Sequence, residues 1–300
     1  MLVSVLMITY NHEKYIREAL ESVLMQQTDF SFELIICDDS SNDNTADAID
    51  KTISYHPLIN NIKFYRHEQN MGMMQNLIFA LRKCSGRYIA ICEGDDYWTD
   101  PLKLQKQVAV LDKEAQYAMV ITNRKVTNED GTAYDELYEK DYQKFIFTNA
   151  DVIKGFVPGT QTIMFRNFSS LPDYLEAHPE FYYGDRYITY FCSLFGSIFL
   201  LQEITAVYRM NGEGVWSTFT PIQKLNKYTR FMNDFHKSLG IPSNEIINKF
   251  NSNAVRGSIR YCLKRPGLIF QNSYREMIRM PWKALGKMDR LKVLLTIFKS

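Results

Sequence analysis

The stretch "RYIAICEGDDYWTDP", Arg87 to Pro101, changes abruptly from apolar to acidic. Its first half reads as a buried strand; Glu93, Asp95 and Asp96 follow, with Asp100 close behind. Carboxylates this crowded repel one another, so setting them at a strand end calls for a positive charge opposite. The plain alternative is a solvated loop, or an N-cap for the helix after Pro101. The rest of the chain decides between these readings.

Upstream, three more apolar runs recur at intervals of about 30 residues: "LVSVLMI", "FELIIC" and "IKFYR". Helical periodicity fills the gaps, over Tyr15 to Met25, Thr45 to Ile53 and Met73 to Lys83. Such alternation implies right-handed βαβ units and a mostly parallel, Rossmann-like sheet. Near-continuous hydrophobic strands are what a sheet covered by helices on both faces requires. Downstream, "PLKLQKQVAVLDKE" reads as a helix with proline in its first turn. "YAMVITNRKV", "GTQTIMFRN" and "SIFLLQEITAVYR" read as strands, and "GDRYITYFCSLFG" as a helix. Residues 128–148 read as a loop or excursion. Strand signals end near Ser217, which divides the chain into an α/β domain over 1–217 and a helical appendage over 218–300.

Composition excludes several classes. Hydrophobic residues make up 46% of the 300 and charged residues 23%, ordinary values for a soluble protein. Net charge is +1, yet residues 256–300 carry eleven Lys/Arg against two Asp/Glu. A basic tail on an acidic body points to an anionic surface near the C-terminus. The five cysteines are scattered, without a CxxC pair, as buried reduced thiols of a cytoplasmic protein would be. Five equally scattered histidines argue against a zinc cluster. The opening "MLVSVLMITYNH" has no charged leader, and "YFCSLFGSIFLL" is too short to span a bilayer. Nucleic-acid binding finds little support, because the tail lacks interleaved stacking residues.

In open α/β sheets, ligands bind beyond the carboxyl ends of the strands. Polar clusters fall there: Thr9-Tyr10-Asn11, Asp38-Asp39-Ser40-Ser41, "HEQNMG" with Asn70 and Gly72, and Glu93-Gly94-Asp95-Asp96. Each could merely cap a turn or helix. Gly94, lacking a Cβ, would let a ligand approach the backbone. No GxxxxGK[ST] or GxGxxG follows the first strand, so no glycine-rich loop is present to hold phosphates. A divalent cation, Mn²⁺ or Mg²⁺, is the natural substitute, with carboxylates on one side and a nucleotide diphosphate on the other.

Together, "VSVLMITYNHEKYIREALESVLMQ", "FELIICDDSSNDNT", "NMGMMQNLIFAL" and "GRYIAICEGDDYWTDPLKLQKQ" resemble glycosyltransferase family 2, strongly over residues 2–110 and more weakly to 217. The resemblance implies a GT-A fold and an inverting transferase that uses a nucleotide sugar, UDP being the usual nucleotide. It implies that Thr9, Tyr10 and Asn11 line the nucleoside pocket and that Asp39 bonds base or ribose. The family's DxD element falls on Glu93-Gly94-Asp95, with Glu for the usual first Asp. Asp95 is then the metal ligand and Asp96 the second. Gly184-Asp185, opening a later helix, matches the family's base, and a helix N-terminus would keep Asp185 ionised. Arg209 would offset diphosphate charge, with a strand-end salt bridge as the alternative. Asn211 stands where many relatives carry His. The QxxRW element of processive synthases is absent, which favours transfer of one sugar at a time.

The expected partners are a nucleotide-sugar donor and a glycan or lipid-linked acceptor. The tail "PWKALGKMDRLKVLLTIFKS" reads either as a basic amphipathic helix resting on the inner face of the plasma membrane or as one packed on the protein. Two rival functions are a non-catalytic sugar-nucleotide-binding module and a nucleotidyltransferase, the latter disfavoured by "TYNHEKY" in place of a Gly/Lys-rich loop.

Overall fold

The computed structural model describes residues 1–178, 183–212, 221–238 and 240. Two seven-residue apolar runs form β1 (Val3–Thr9) and β2 (Phe32–Asp38), buried from end to end, as is β4 (Tyr88–Ile91). Burial on both faces demands helices on both. Val3, Val5 and Met7 share a core with Ile16, Ala19, Leu20 and Val23 of α1 (Ile16–Leu24), Ile49 of α2 (Thr45–Ile53) and Leu104, Val108 and Leu111 of α4 (Lys103–Lys113). The intervening residues of β1 face the other side, where α3 (Met73–Lys83) packs on β1 and β2.

The remaining strands are β3 (Ile62–Arg66), β5 (Tyr97–Trp98), β6 (Tyr117–Thr127), β7 (Ala133–Glu136), β8 (Ile146–Phe147), β9 (Met164–Arg166) and β10 (Ser197–Arg209). Among the described residues the sheet runs β3-β2-β1-β4-β9-β6-β10-β5, with β7 on β6 and β8 on β10. Strands β3, β2, β1 and β4 are mutually parallel, as are β6 and β10. The short β9 lies antiparallel between β4 and β6 and joins the two parallel groups. The expected α/β architecture, a GT-A type sheet flanked by helices, is the one that forms.

Two features depart from the sequence reading. The segment read as a loop, 128–148, carries β7, the short helix α5 (Tyr138–Tyr142) and β8, followed by α6 (Asn149–Ile153). These elements are two to five residues long, too short to show a period. Their order comes from packing, notably Phe147 stacked on Phe156 at 3.8 Å. Secondly, the acidic stretch itself contains β5, whose Tyr97 and Trp98 pair with Val207 and Ala206 of β10. The Trp98 indole N–H is anchored on the Gln161 carbonyl at 2.9 Å.

The chain divides into two units, Met1–Asn211 and Gly212–Ser300; the boundary read from sequence, near Ser217, lies outside the described residues. Within the second, α9 (Pro221–Ser238) buries Phe231, Met232, Phe235 and His236, spaced along one helical face. The basic tail and its terminal amphipathic segment lie outside the described residues. No helix among the described residues is long and apolar enough to cross a membrane. Cys37, Cys84, Cys92 and Cys192 are free thiols.

Candidate active site

The turn after β1 and the turn after β2 hold each other in place. Asn11 adopts a left-handed φ of 56° and Ser40 one of 62°, a conformation most residues avoid. Cross-turn hydrogen bonds stabilise it. The Asn11 N–H donates to Ser41 Oγ (2.9 Å), and Asn11 Oδ1 accepts from the Asn42 N–H (2.8 Å). The His12 N–H reaches Thr45 Oγ1 at 2.8 Å. Asp39 ties the third turn to these: its carboxylate accepts the Met71 and Gly72 N–H groups at 2.7 and 2.9 Å. Asn70 Nδ2 donates to the Asp39 carbonyl at 3.1 Å, and Gly72 opens α3 at φ 85°. Thr9, Asn11, Asp39, Asn70 and Gly72 are thus brought to one rim by β1, β2 and α3. Tyr10 and Asn70 present exposed side chains there, while Thr9 and Asp39 are buried.

Gly94 needs no Cβ for a reason other than the one read from sequence. A Cβ would lie 2.6 Å from Thr9 Oγ1 and 2.9 Å from His12 Nδ1, so the protein's own side chains fill that space rather than a ligand. His12, passed over in the sequence, accordingly sits beside the acids. Its Nδ1 is 3.2 Å from Thr9 Oγ1 and its Nε2 3.8 Å from Asp95 Oδ2. Asn211 Nδ2 donates to that same Asp95 oxygen at 3.0 Å.

Buried carboxylates in this protein are of two kinds. Glu33 receives hydrogen bonds from Ser4, Lys63 and the N–H and hydroxyl of Ser85. Burial alone would raise its pKa, but these donors outweigh it and bring the group down to about 2. The acids after β4 are compensated less fully. Burial, then the charges of Asp95 and Asp185, push Glu93 up to about 8. Asp96, fully buried, is raised in the same way by burial, Asp95 and Glu93. Its Oδ1 accepts the Arg209 N–H at 2.9 Å, whereas its buried Oδ2 has no hydrogen-bond partner among the described residues. Clustered acids raised in this way, one with a partnerless oxygen, fit a cation. Among the described residues no three His, Cys, Asp or Glu side chains close into a ligand set. A cation held there would take one or two carboxylates from the protein and the rest of its shell from other ligands.

Asp185 lies in the first turn of α8 (Gly184–Ser193), within electrostatic reach of Glu93. The sequence argument that the helix terminus lowers its pKa does not hold. Burial dominates and raises it, although the Arg186 charge and N–H (2.7 Å to Oδ1) and Arg124 oppose the shift. Arg209 does not point a free guanidinium at the pocket. It pairs with Glu18 at 2.7 Å and lies between the rings of Tyr15 and Tyr97, at 5.1 and 4.6 Å. The strand-end salt bridge is the arrangement found. Arg124 of β6, also unremarked in the sequence, acts on Glu93, Asp96 and Asp185 alike. It stands in the polar run Asn123-Arg124-Lys125 of β6, where nothing in the sequence marks it off from its neighbours.

A mostly parallel sheet flanked by helices, with carboxylates gathered beyond its strand ends, is the architecture of GT-A type proteins. Residues 4–171 match the model of "Glycosyl transferase family 2", and the chain belongs to that family. The uncharacterized Mycobacterium tuberculosis protein Rv1520 is 34% identical over 222 residues, 74% of this chain and 62% of that one. The chain thus spans less than two thirds of that relative's length. WfgD of Escherichia coli, a UDP-Glc:α-D-GlcNAc-diphosphoundecaprenol β-1,3-glucosyltransferase, is 37% identical over 110 residues, 37% of this chain and 41% of that one. Among solved structures, S. aureus TarS residues 1–349 in complex with UDP-GlcNAc superposes with a TM-score of 0.64 at 18% identity, over 96% of this chain and 83% of that one. That likeness is one of fold.

Proposed function

We propose that this chain transfers a single sugar from a nucleoside-diphosphate sugar, UDP by analogy with relatives, to a hydroxyl of a glycan or lipid-linked oligosaccharide, with inversion, in cell-surface polysaccharide synthesis. The observation that carries this reading is the acid cluster Glu93, Asp95 and Asp96, in which the buried Asp96 Oδ2 has no hydrogen-bond partner among the described residues and Asp185 lies within electrostatic reach of Glu93. Glu33, by contrast, has both of its carboxylate oxygens hydrogen-bonded.

Asp95 and the partnerless Oδ2 of Asp96 would hold Mn²⁺ or Mg²⁺. When bound, that ion offsets the charge that builds on the departing diphosphate. Asn211 and His12 orient the Asp95 carboxylate from two sides. The rim of Tyr10, Asn11, Asp39, Asn70 and Gly72 forms the nucleoside wall, with Asp39 holding the Met71 and Gly72 N–H groups in place. Asp185 accepts the proton of the acceptor hydroxyl as its oxygen bonds to the anomeric carbon and the bond to diphosphate breaks. The raised pKa makes it a stronger base than an exposed Asp.

The test uses the full chain, Mn²⁺ and a panel of UDP- and GDP-sugars, following nucleoside diphosphate release onto water. Release from one donor by the wild type is expected. Asp185→Asn should slow sugar transfer at least about a hundredfold while leaving nucleotide affinity within a few-fold. No release from any donor, with nucleotide still bound, would favour a non-catalytic binding module instead.

A further inference from the structure

Arg124 and Glu136 are register partners across the β6–β7 pair, and the Arg124 Nε–H donates to the Glu136 carboxylate. Two other contacts fix the same guanidinium. It lies over the Tyr208 ring at 4.9 Å. Gly159 packs flush on it, since a Cβ there would come within 2.2 Å of Nη1. The Gly159 N–H is in turn held by the Tyr138 hydroxyl at 2.8 Å. The neighbouring Asn123 binds the same segment, accepting from the Tyr138 N–H at 2.9 Å and donating to Glu139 at 2.8 Å. Thus the 133–159 excursion is fastened to β6 at two consecutive residues. Arg124 flanks the same end of β10 as the acids: it pairs in register with Ala206, which pairs with Trp98, and lies over Tyr208, while the N–H of the next residue, Arg209, is held by Asp96. Planarity matters here, because only a guanidinium can bond edge-on to Glu136 while stacking on Tyr208.

We infer that Arg124 is a positioning residue and the built-in counter-charge of the acid cluster, aimed at Glu93, Asp96 and Asp185 by Glu136 of the excursion. The inference rests on the proposed cation site. A fixed positive charge steadies the carboxylates in the ion-free protein and opposes an incoming divalent cation. Glu136 offsets part of that charge. The excursion therefore sets how strongly the pocket takes its ion, and any change in the Arg124–Glu136 pair is felt at the metal position.

Opposite signs distinguish this role from a structural one. Free Mn²⁺ is titrated by electron paramagnetic resonance against the full chain at mildly alkaline pH, where protons compete least. Arg124→Gln removes the opposing charge and should tighten Mn²⁺ binding about five- to tenfold. Glu136→Gln leaves Arg124 uncompensated and should weaken it by a similar factor. Arg124→Lys keeps the charge but not the planar fork that aims it, so its effect on Mn²⁺ binding should be smaller than that of Arg124→Gln. Thermal midpoints measured alongside should fall for both Gln variants, as both lose the same ion pair. If both weaken Mn²⁺ binding together, or neither changes it, Arg124 is structural only and the inference fails. If the folded wild type binds no Mn²⁺, the cation site itself is refuted and the inference with it.

Discussion

Glu33 and Glu93 are the same side chain given opposite tasks by their neighbours. Four hydrogen bonds hold Glu33 ionised down to about pH 2, whereas burial and two nearby carboxylates lift Glu93 to about 8 from its ordinary 4.5. In the ion-free protein the folded state therefore keeps a Glu93 proton that the unfolded chain releases. Stability contributed this way falls as pH rises through the window from 4.5 to about 8. Glu93→Gln should flatten that decline, so chemical denaturation of the two proteins at several pH values should show the variant gaining most near pH 8. An equal difference at every pH would place the Glu93 titration elsewhere. Asp185 shifts in the same direction, which predicts that transfer activity fails on the acid side at a pH above that of an exposed aspartate. A pH–rate profile of kcat/KM, with its acid limb read against that of an exposed carboxylate, checks this.

At the scale of elements, the pocket is made of turns rather than of strands. The β1 and β2 turns exchange hydrogen bonds through Asn11, Ser41 and Asn42, and Gly94 gives Thr9 and His12 room to close over the β4 end. Gly94→Ala must displace Thr9 or His12. A cost of about 1–3 kcal/mol is expected, as for overpacking elsewhere, visible as a lower thermal midpoint. It should weaken Mn²⁺ binding as well, because His12 would leave Asp95. Unchanged midpoint and binding would show the turn to be more yielding than its contacts imply. The strands and long helices were legible in the sequence because their apolar periods run for seven to eleven residues. The 128–159 segment was not, since its elements are short and ordered by distant aromatics such as Phe156. Likewise the acids were legible as a cluster, but their compensation was not. Arg209 being spent on Glu18, and Arg124 acting on the acids, depend on which residues lie opposite across 191 and tens of positions.

For the whole molecule, ligand binding and folding are coupled. A ligand that binds only the folded state raises its stability by about 2.7 kcal/mol at a hundred times Kd. Mn²⁺ and UDP together should therefore raise the thermal midpoint more than either alone, and Asp95→Ala should abolish the increment due to Mn²⁺. An undiminished increment in that variant would remove Asp95 from the metal position.

The ends of the sheet's strand order carry a further consequence. A sheet that stops leaves unpaired N–H and C=O groups, an open template on which another copy can continue. Here, among the described residues, one end, β5, is only two residues long, and the other, β3, carries the exposed Lys63 and Arg66, tied back to Glu33 and Asp38 of β2. Such short or charged margins discourage strand-by-strand fibril growth, so the chain can be crowded at a surface without polymerising through its own sheet.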